Sequence, residues 1–203
     1  MLRRKYRFIR PTPEYRELAI LAAIESDPRA SQRSLARDAS LSLAVLNDYL
    51  DRLVSSGHVE IDGPTPRAYR YRLTALGRVR KDELFFAVSR EVIQFYGQMK
   101  AEFRRRLEEH AARGIRRVIL FGAAETGELV TLAARETALE VIGIVDNDPA
   151  RQGKRLGHLT IDSPSAILAN QPDAVLITSF GHMDEIHEQL KPMEERGLRI
   201  LRL

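Results

Sequence analysis

Two stretches of the sequence carry side chains suited to recognising another molecule, and the first follows Ser42. An apolar pattern typical of a helix begins there, and its outward positions hold small, amide and carboxylate side chains. Asparagine pairs with adenine through N6 and N7, and small apolar side chains contact the thymine methyl group in the major groove. We therefore predict base contacts by Ser42, Ala44, Val45, Asn47 and Asp48.

Phosphate contacts are predicted on both sides of this helix along the chain. Downstream, arginines alternate with apolar residues over residues 67–73, which is typical of a strand with one guanidinium-bearing face. Upstream, polar side chains open a shorter helix at residues 31–39. Arginine and polar side chains of this kind position a protein on the DNA backbone. The predicted phosphate contacts are Gln32, Arg33, Ser34, Arg67, Arg70 and Arg72.

The second stretch is a glycine-bearing loop at residues 122–127. An apolar strand at residues 117–122 precedes it, and about twenty residues later a second strand ends on Asp146. This is the skeleton of a nucleotide-binding βαβ unit, in which glycines allow the tight turn, a phosphate sits at the helix N-terminus and the acidic residue accepts from ribose hydroxyls. The predicted loop contacts are Gly122, Ala123, Ala124, Glu125, Thr126 and Gly127.

The glycine fingerprint is incomplete, which leaves the ligand open. Ala124 occupies the position of the middle glycine, which lets a backbone approach a pyrophosphate, and Glu125 adds negative charge beside it. A mononucleotide, a nucleotide-sugar and another small ligand stay open, as does a fold that kept the turn and lost the ligand. Loops after the other central strands should face the same crevice. They add Asp146, Asn147, Asp148, Ser179, Phe180 and His182 to the predicted ligand contacts.

The sequence lacks the motifs of a catalytic centre. His182 and His187 are five residues apart, a spacing that does not place them on one helix face for a metal ion. A nucleophile elbow, a Walker lysine motif and a dense carboxylate pair are absent, and a lone loop histidine is more often a hydrogen-bonding or capping group. We predict neither an enzyme nor a metal site.

Three kinds of element are needed to position these residues. Residues 13–73 have the pattern of three helices followed by a hairpin, residues 74–112 that of one long helix, and short apolar strands alternate with helices from Ile115 onward. The predicted fold class is an α+β winged helix-turn-helix, a long connecting helix and an α/β Rossmann-like parallel sheet. The predicted domains are 1–73 for DNA binding, 74–113 for linking and dimerisation, and 114–203 for ligand sensing.

The charge distribution suits a protein that meets a polyanion with its first half. Residues 1–113 contain 22 Lys and Arg against 15 Asp and Glu, whereas residues 114–203 contain 10 against 13. Solvated arginine-rich helices are the alternative explanation.

The absence of cysteine excludes disulfides, thiolate zinc sites and a cysteine nucleophile. No apolar run approaches the ~18 residues that cross a bilayer, and the first residues lack a signal-peptide core, so we expect a cytoplasmic protein without a membrane partner.

A long apolar stripe in the connecting helix predicts self-association. Its members recur at spacings of three and four residues: Phe85, Val88, Val92, Phe95, Met99, Phe103 and Leu107. A stripe this long exceeds what a small winged domain can cover, so we predict that it pairs with the same helix of a second chain. Packing on the C-terminal domain of the same chain is the alternative. Such a dimer would present two recognition helices to half-sites about one DNA turn apart.

Several runs of the sequence resemble a known family. The run ASQRSLAR at 30–37 resembles the helix-two signature of MarR-type regulators, LAVLNDYL at 43–50 continues it, and YRLTALGRVRKDEL at 71–84 resembles their wing exit. The resemblance covers roughly residues 13–105 and is nearest to the MarR-type subgroup associated with exopolysaccharide gene clusters, although the short wing and the acidic Asp48 depart from it. The rest resembles Rossmann-like domains that bind CoA or handle nucleotide-sugars, most clearly in VIGIVDNDPARQGKRLGHLTI at 141–161.

The resemblance implies a homodimeric transcription regulator, of polysaccharide biosynthesis genes, whose C-terminal domain senses a nucleotide or nucleotide-sugar. One alternative is a redox sensor similar to the Rex regulators, which also join a winged helix to a Rossmann domain and read NADH; Asp146 favours it and Ala124 disfavours it. An alternative of another class is an interaction or scaffold protein, or an accessory subunit, whose winged helix binds protein. The expected partners are double-stranded DNA, a second copy of the chain and a small-molecule effector such as a nucleotide, a nucleotide-sugar or NAD(H).

Overall fold

The computed structural model describes residues 11–65 and 69–203 of the chain. Three helices come first: α1 (Pro13–Ser26), α2 (Gln32–Asp38) and α3 (Leu43–Ser55). A hydroxyl side chain stands before each of them and accepts a hydrogen bond from a backbone N–H of the first turn. The three capping residues are Thr12, Ser31 and Ser42. Since the first turn of a helix leaves its N–H groups without partners, these side chains fix where the helices begin.

A two-stranded antiparallel hairpin follows, made of β1 (Val59–Asp62) and β2 (Arg70–Leu73). Its inward side chains, Val59 and Tyr71, join the apolar faces of the three helices in one core. The other large members of that core are Ile20, Leu21, Ile24, Leu35, Leu46, Tyr49, Leu50, Leu53 and Leu84. Three short helices and a hairpin over a single core form a winged helix-turn-helix, as the hydrophobic pattern predicts.

The long helix α4 (Ala75–Ala112) has 38 residues and begins at the exit of the hairpin. Thr74 caps it: its hydroxyl accepts from the N–H of Gly77 at 2.9 Å and donates to the carbonyl of Gly57 at 2.7 Å. A Cβ on Gly77 would lie 1.9 Å from the carbonyl oxygen of His58. The Thr-x-x-Gly pattern therefore fastens the start of α4 to the segment between α3 and β1. Neither α4 nor any other helix in the described ranges is long and apolar enough to cross a membrane.

Two ion pairs also hold α4 against α1. Arg80 Nε lies 2.8 Å from Glu17 Oε1, and Lys81 Nζ lies 2.5 Å from Glu25 Oε2. The hydrogen bond that Arg80 donates to Glu17 raises the pKa of Arg80, and the one that Lys81 donates to Glu25 raises the pKa of Lys81. The first turns of α4 are thus part of the winged-helix unit.

Six strands form the sheet of the second half: β3 (Arg117–Phe121), β4 (Glu140–Val145), β5 (Arg155–Leu156), β6 (Leu159–Asp162), β7 (Ala174–Ile177) and β8 (Arg199–Arg202). Their order is β5-β6-β4-β3-β7-β8, and the last five of that order pair in parallel. β5 pairs antiparallel with β6, so the sheet is mixed rather than wholly parallel as predicted. The cause is a tight turn at Gly157, with φ +62°, which returns the chain directly instead of through a crossover helix.

Two further helices, α5 (Glu125–Ala134) and α6 (Met183–Glu194), cover the two faces of this sheet. Val118 and Leu120 of β3 lie in a core with α5 and the second half of α4, whereas Ile119 and Phe121 lie in a core with α6. Successive side chains of a strand point to opposite faces. A central strand buried on both faces is a continuous apolar run, as β3 is in the sequence.

The chain divides into two compact units, Met1–Gln94 and Phe95–Leu203, and α4 contributes residues to both. In the second unit Phe103 and Leu107 are buried in the core that α5 shares with the sheet, and Met99 packs against it. These three residues of the predicted dimerisation stripe are therefore covered by their own chain, because the stripe continues into a second hydrophobic core. Phe85, Val92 and Phe95 are exposed, and Val88 is half-buried.

Candidate nucleic-acid interface and ligand crevice

The first turns of α3 present a free outward face. The helix buries one side in the winged-helix core, through Leu46, Tyr49, Leu50 and Leu53. The predicted base-contacting residues Ala44, Val45, Asn47 and Asp48 are all exposed on the other side. Leu43, with 42% of its surface accessible, lies beside them and was not predicted. An exposed apolar and amide surface at the start of a recognition helix is suited to the edges of base pairs.

Some of the polar side chains predicted to contact DNA make hydrogen bonds within the protein. Ser42 Oγ accepts from the N–H of Val45 at 3.4 Å and so caps α3. Ser34 Oγ accepts from Arg37 Nη2 at 3.1 Å and donates to Asp38 Oδ2 at 3.4 Å. Gln32 is half-buried, whereas Arg33 is exposed. Of the predicted phosphate contacts at α2, Arg33 is therefore the best placed to reach DNA.

The wing carries acidic side chains opposite its arginines. Glu60 of β1 is in register with Arg72 of β2, and Asp62 with Arg70. Arg72 Nη2 lies 3.4 Å from Glu60 Oε2. The arginines are visible in the sequence as a period of two, whereas the acids become visible only when the two strands are paired about their turn. Arg67, the third predicted wing arginine, lies outside the described residues.

In the second unit a crevice of about 230 Å³ opens at the carboxyl ends of the central strands. In the sheet, β4 lies on one side of β3 and β7 on the other. Open α/β sheets bind ligands at such a point, where the connections leave neighbouring strands in opposite directions. The crevice brings together Gly122, Asp146, Asn147, Asp148, Ser179 and His182 of the predicted ligand residues. Glu185 and Ile186 of α6 also line it; a carboxylate three residues after a loop histidine was the signal for Glu185.

The other predicted ligand residues lie outside this lining. They are Ala123, Ala124, Glu125, Thr126, Gly127 and Phe180. The ring of Phe180 packs edge-on against Phe103, with centroids 6.1 Å apart. A Cβ on Gly127 would lie 2.3 Å from the carbonyl oxygen of Gly122. This glycine therefore allows α5 to pack closely on the turn after β3, which is a structural task.

Asp146 ties two loops of the crevice together. Its Oδ2 accepts from the N–H of Ala123 at 2.8 Å, and its Oδ1 accepts from the N–H of Asp148 at 2.9 Å. Each carboxylate oxygen thus has one acceptor site in use within the protein. A ribose contact of the kind predicted from the sequence would have to use the remaining ones.

The walls of the crevice are set by close backbone approach and side-chain pairing. Gly122 has φ +117°, and a Cβ there would lie 2.9 Å from the backbone nitrogen of Ser179. Asn147 and Gln189 exchange two amide hydrogen bonds of 2.9 and 3.1 Å, which join the loop after β4 to α6. His182 Nδ1 lies 3.0 Å from Glu185 Oε2, and both side chains are exposed.

The crevice is acidic. Its lining contains the carboxylates of Asp146, Asp148 and Glu185 against the single imidazole of His182. Carboxylates accept hydrogen bonds from hydroxyl and ammonium groups and repel phosphate. No group of three or more His, Asp or Glu arranged to hold a metal ion occurs in the described part of the chain.

Two family models match separate parts of the chain. Residues 14–60 match the model described as winged helix-turn-helix DNA-binding. The first domain is a winged helix-turn-helix, and this match makes it similar to those that bind DNA. Residues 114–201 match the model described as C2185-like, N-terminal. No curated protein matches the chain significantly.

Solved structures of two regulators are similar to part of the chain. The MarR family protein Rv2887 of Mycobacterium tuberculosis, in complex with salicylic acid, is 26% identical, with a TM-score of 0.37 over 46% of this chain and 74% of that one. The PcaV transcriptional regulator of Streptomyces coelicolor is 21% identical, with a TM-score of 0.38 over 51% of this chain and 79% of that one.

Proposed function

We propose that this protein is a transcription regulator of the MarR type, whose winged helix binds DNA and whose second unit senses a small ligand. The observation that carries the proposal is the DNA-binding winged helix-turn-helix match over residues 14–60, in a fold that leaves the start of α3 exposed. The start of α3 would enter the major groove. There Asn47 would pair with an adenine, and Val45 would contact a thymine methyl group.

Phosphate contacts would hold this helix in place. Arg33 at the start of α2 and the wing residues Arg70 and Arg72 are exposed guanidinium groups that can neutralise DNA phosphates. Glu60 and Asp62 offset part of the charge of the wing, so α2 supplies a larger share of the phosphate contacts than the arginine count of the wing suggests.

A salt series tests DNA binding directly. Binding of the full chain to duplex DNA from its own genome is followed by fluorescence anisotropy between 50 and 200 mM salt, roughly the range over which phosphate contacts cost several decades of affinity. We expect log K to fall with log salt concentration by about 0.9 for each phosphate neutralised. Arg33→Gln should reduce that slope by about one contact, whereas Arg113→Gln, in the second unit, should leave it unchanged. A slope near zero would instead support the scaffold alternative.

The crevice beside Asp146 is the proposed sensing site of a Rossmann-like second domain. Its three carboxylates favour a ligand rich in hydroxyl groups, which supports the sugar part of a nucleotide-sugar over a bare pyrophosphate. Calorimetric titration with a nucleotide-sugar and with NADH separates the candidates. We expect heat from the nucleotide-sugar and none from millimolar NADH, and the reverse result would support the redox alternative.

Ligand binding would regulate DNA binding through the dimer. We propose that the protein acts as a homodimer at polysaccharide biosynthesis genes and that the ligand changes DNA affinity by roughly 5–150-fold, the usual range of allosteric coupling. Anisotropy titrations with and without the ligand measure that factor, and an unchanged affinity at saturating ligand would remove the sensing role.

A further inference from the structure

A second apolar stripe on α4 faces away from the winged-helix core. Leu76, Val79, Phe86 and Ile93 are 53%, 55%, 66% and 69% exposed. Their spacings of three, seven and seven residues place them on one face of the helix, which we call the outer stripe.

The outer stripe lies opposite three of the contacts that α4 makes within its unit, whereas Arg80, which pairs with Glu17, lies at its edge. Gly77, Lys81 and Leu84 hold the helix to the rest of the unit through a backbone approach, an ion pair and a core contact. On a helix with 3.6 residues per turn these three positions lie about half a turn round from the outer stripe. Among the described residues of the unit, no packing requires four large apolar side chains on this side. Monomeric proteins seldom leave such a patch open to water.

The face of the outer stripe also contains three charged residues: Asp82, which pairs with Lys81 of the same chain at 3.5 Å, and the pair Glu83 and Arg90. Glu83 and Arg90 are seven residues apart, so they share the face of Val79 and Phe86. Both are exposed, and the one ion pair of Glu83 among the described residues is a long contact of 3.8 Å to Arg80. Glu83 and Arg90 stand almost symmetrically about Phe86, three and four residues from it.

We propose that the outer stripe is covered by the outer stripe of a second copy of this chain, running antiparallel and crossing near Phe86. This rests on the homodimer of the proposed function and names the surface that forms it. With a two-fold axis beside Phe86, Glu83 of each copy lies opposite Arg90 of the partner subunit, which gives two pairs by symmetry. A parallel alignment would instead place like charges opposite each other. The charge pattern therefore selects both the second copy and its direction.

Two adjacent phenylalanines give a matched test of the surface. Phe86 belongs to the outer stripe, whereas Phe85 belongs to the stripe predicted from the sequence and is similarly exposed, at 54% against 66%. Sedimentation equilibrium of the full chain without DNA measures the dimer dissociation constant. We expect Phe86→Ser to raise that constant about a thousandfold, since a buried aromatic at an interface centre is worth ~2 kcal/mol in each of the two subunits. Phe85→Ser should change it about threefold or less, because Phe85 lies about a quarter of a turn round the helix from Phe86 and outside the outer stripe.

A charge exchange tests the direction. Glu83→Arg and Arg90→Glu should each raise the dissociation constant about tenfold, because each places like charges opposite each other twice. The double variant should return to within about threefold of the natural chain, because it restores both pairs in reverse. Failure of the double variant to recover overturns the antiparallel arrangement. A monomeric natural chain, or dissociation by Phe85→Ser alone, overturns the surface.

These outcomes are independent of DNA binding, because the sedimentation experiments contain no DNA. Circular dichroism of each variant checks that α4 is still helical. If the natural chain dimerises as expected but its DNA affinity has no salt dependence, the interface stands and the transcription proposal fails. If the chain is monomeric and still binds DNA with a steep salt slope, the transcription proposal stands and the interface fails.

Discussion

Single residues hold the junctions between elements in both units. Gly77 lets α4 meet the carbonyl of His58, Gly122 lets the turn after β3 meet Ser179, and Asp146 joins two loops of the crevice. Asp173 does the same at the opposite end of the sheet, where it accepts from the N–H groups of Arg116 and Arg117 at the start of β3. The two glycines act by having no Cβ, and the two aspartates act through their carboxylate oxygens. Each contribution can therefore be tested with one substitution.

Gly77→Ala should destabilise the winged-helix unit. Its Cβ would lie 1.9 Å from the carbonyl oxygen of His58, and neither backbone segment can move without disturbing the Thr74 cap. We expect a loss of about 1–3 kcal/mol in the free energy of unfolding, as for overpacked cores. Gly97→Ala is the control in the same helix: nothing lies within 4 Å of its Cβ, so removing a helical glycine should stabilise by about 0.5–1 kcal/mol. Urea unfolding measures both, and a change of equal sign would contradict the prediction.

The carboxylate of Asp173 makes stability depend on pH. The N–H groups of Arg117 and Arg116 each donate to its Oδ2 at 2.8 Å, and these bonds lower the pKa of Asp173. A carboxyl whose pKa is lower in the folded state stabilises that state above its unfolded pKa, and the gain is lost as the pH falls through the folded pKa.

We therefore expect Asp173→Asn to lower the Tm at pH 7, and the difference from the natural chain to shrink below about pH 4. Asp184→Asn is the matched control, because its side chain is 91% exposed and its Tm effect should be small at both pH values. Thermal melts of the three proteins from pH 7 to pH 3 make the measurement. A Tm difference for Asp173→Asn that is as large at pH 3 as at pH 7 would refute this account.

At the scale of elements, short-range signals were predictable and cross-strand ones were not. The helix starts followed from one hydroxyl each, at Thr12, Ser31 and Ser42, because a cap and its N–H partner are three residues apart in the chain. The acids that offset the wing arginines lie about ten residues before them, and only the register of the hairpin brings them together. The antiparallel β5 was missed because a two-residue strand has no detectable period.

The wing should bind DNA more tightly when Glu60 is neutralised. Glu60 lies 3.4 Å from Arg72 and competes with phosphate for its guanidinium group. We expect Glu60→Gln to raise the affinity for DNA and to steepen the salt dependence by about 0.9, and Arg72→Gln to do the opposite. The double variant should lie near the natural chain, and Glu195→Gln at the end of α6 should have no effect. Anisotropy in a salt series decides, and unchanged slopes would exclude the wing from the interface.

At the scale of the whole molecule, α4 belongs to two units. Its apolar period was visible in the sequence, but a period shows only that one face is covered and not by what. Phe103 and Leu107 are covered by the second unit's core, whereas Leu76 and Phe86 are more than half exposed. For the crevice, the strand ends located Asp146 and Ser179, and the position of Glu185 three residues after His182 was a further signal. Only the folded chain shows that α6 also brings Ile186 there.

The two units should unfold as separate cooperative bodies. Leu50 lies in the core of the first unit, 2% exposed, and Leu176 in the core of the second, fully buried. Among the described residues, the core of the first unit and the two cores of the second are separate clusters. We expect two transitions in scanning calorimetry. Leu50→Ala should shift the transition of the first unit to lower temperature and Leu176→Ala that of the second, each through a loss of about 2–5 kcal/mol in that unit's free energy of unfolding. Leu168→Ala, at a residue that is 46% exposed, should move neither.

This separation bears on how a ligand could regulate DNA binding. If each substitution moves only its own transition, the free energy of a ligand in the crevice reaches the winged helix through the position of α4 rather than through shared folding stability. A ligand would then raise the second transition alone while still changing DNA affinity. A single transition lowered equally by both core substitutions would contradict this view, and ligand binding would then have to stabilise the DNA-binding unit directly.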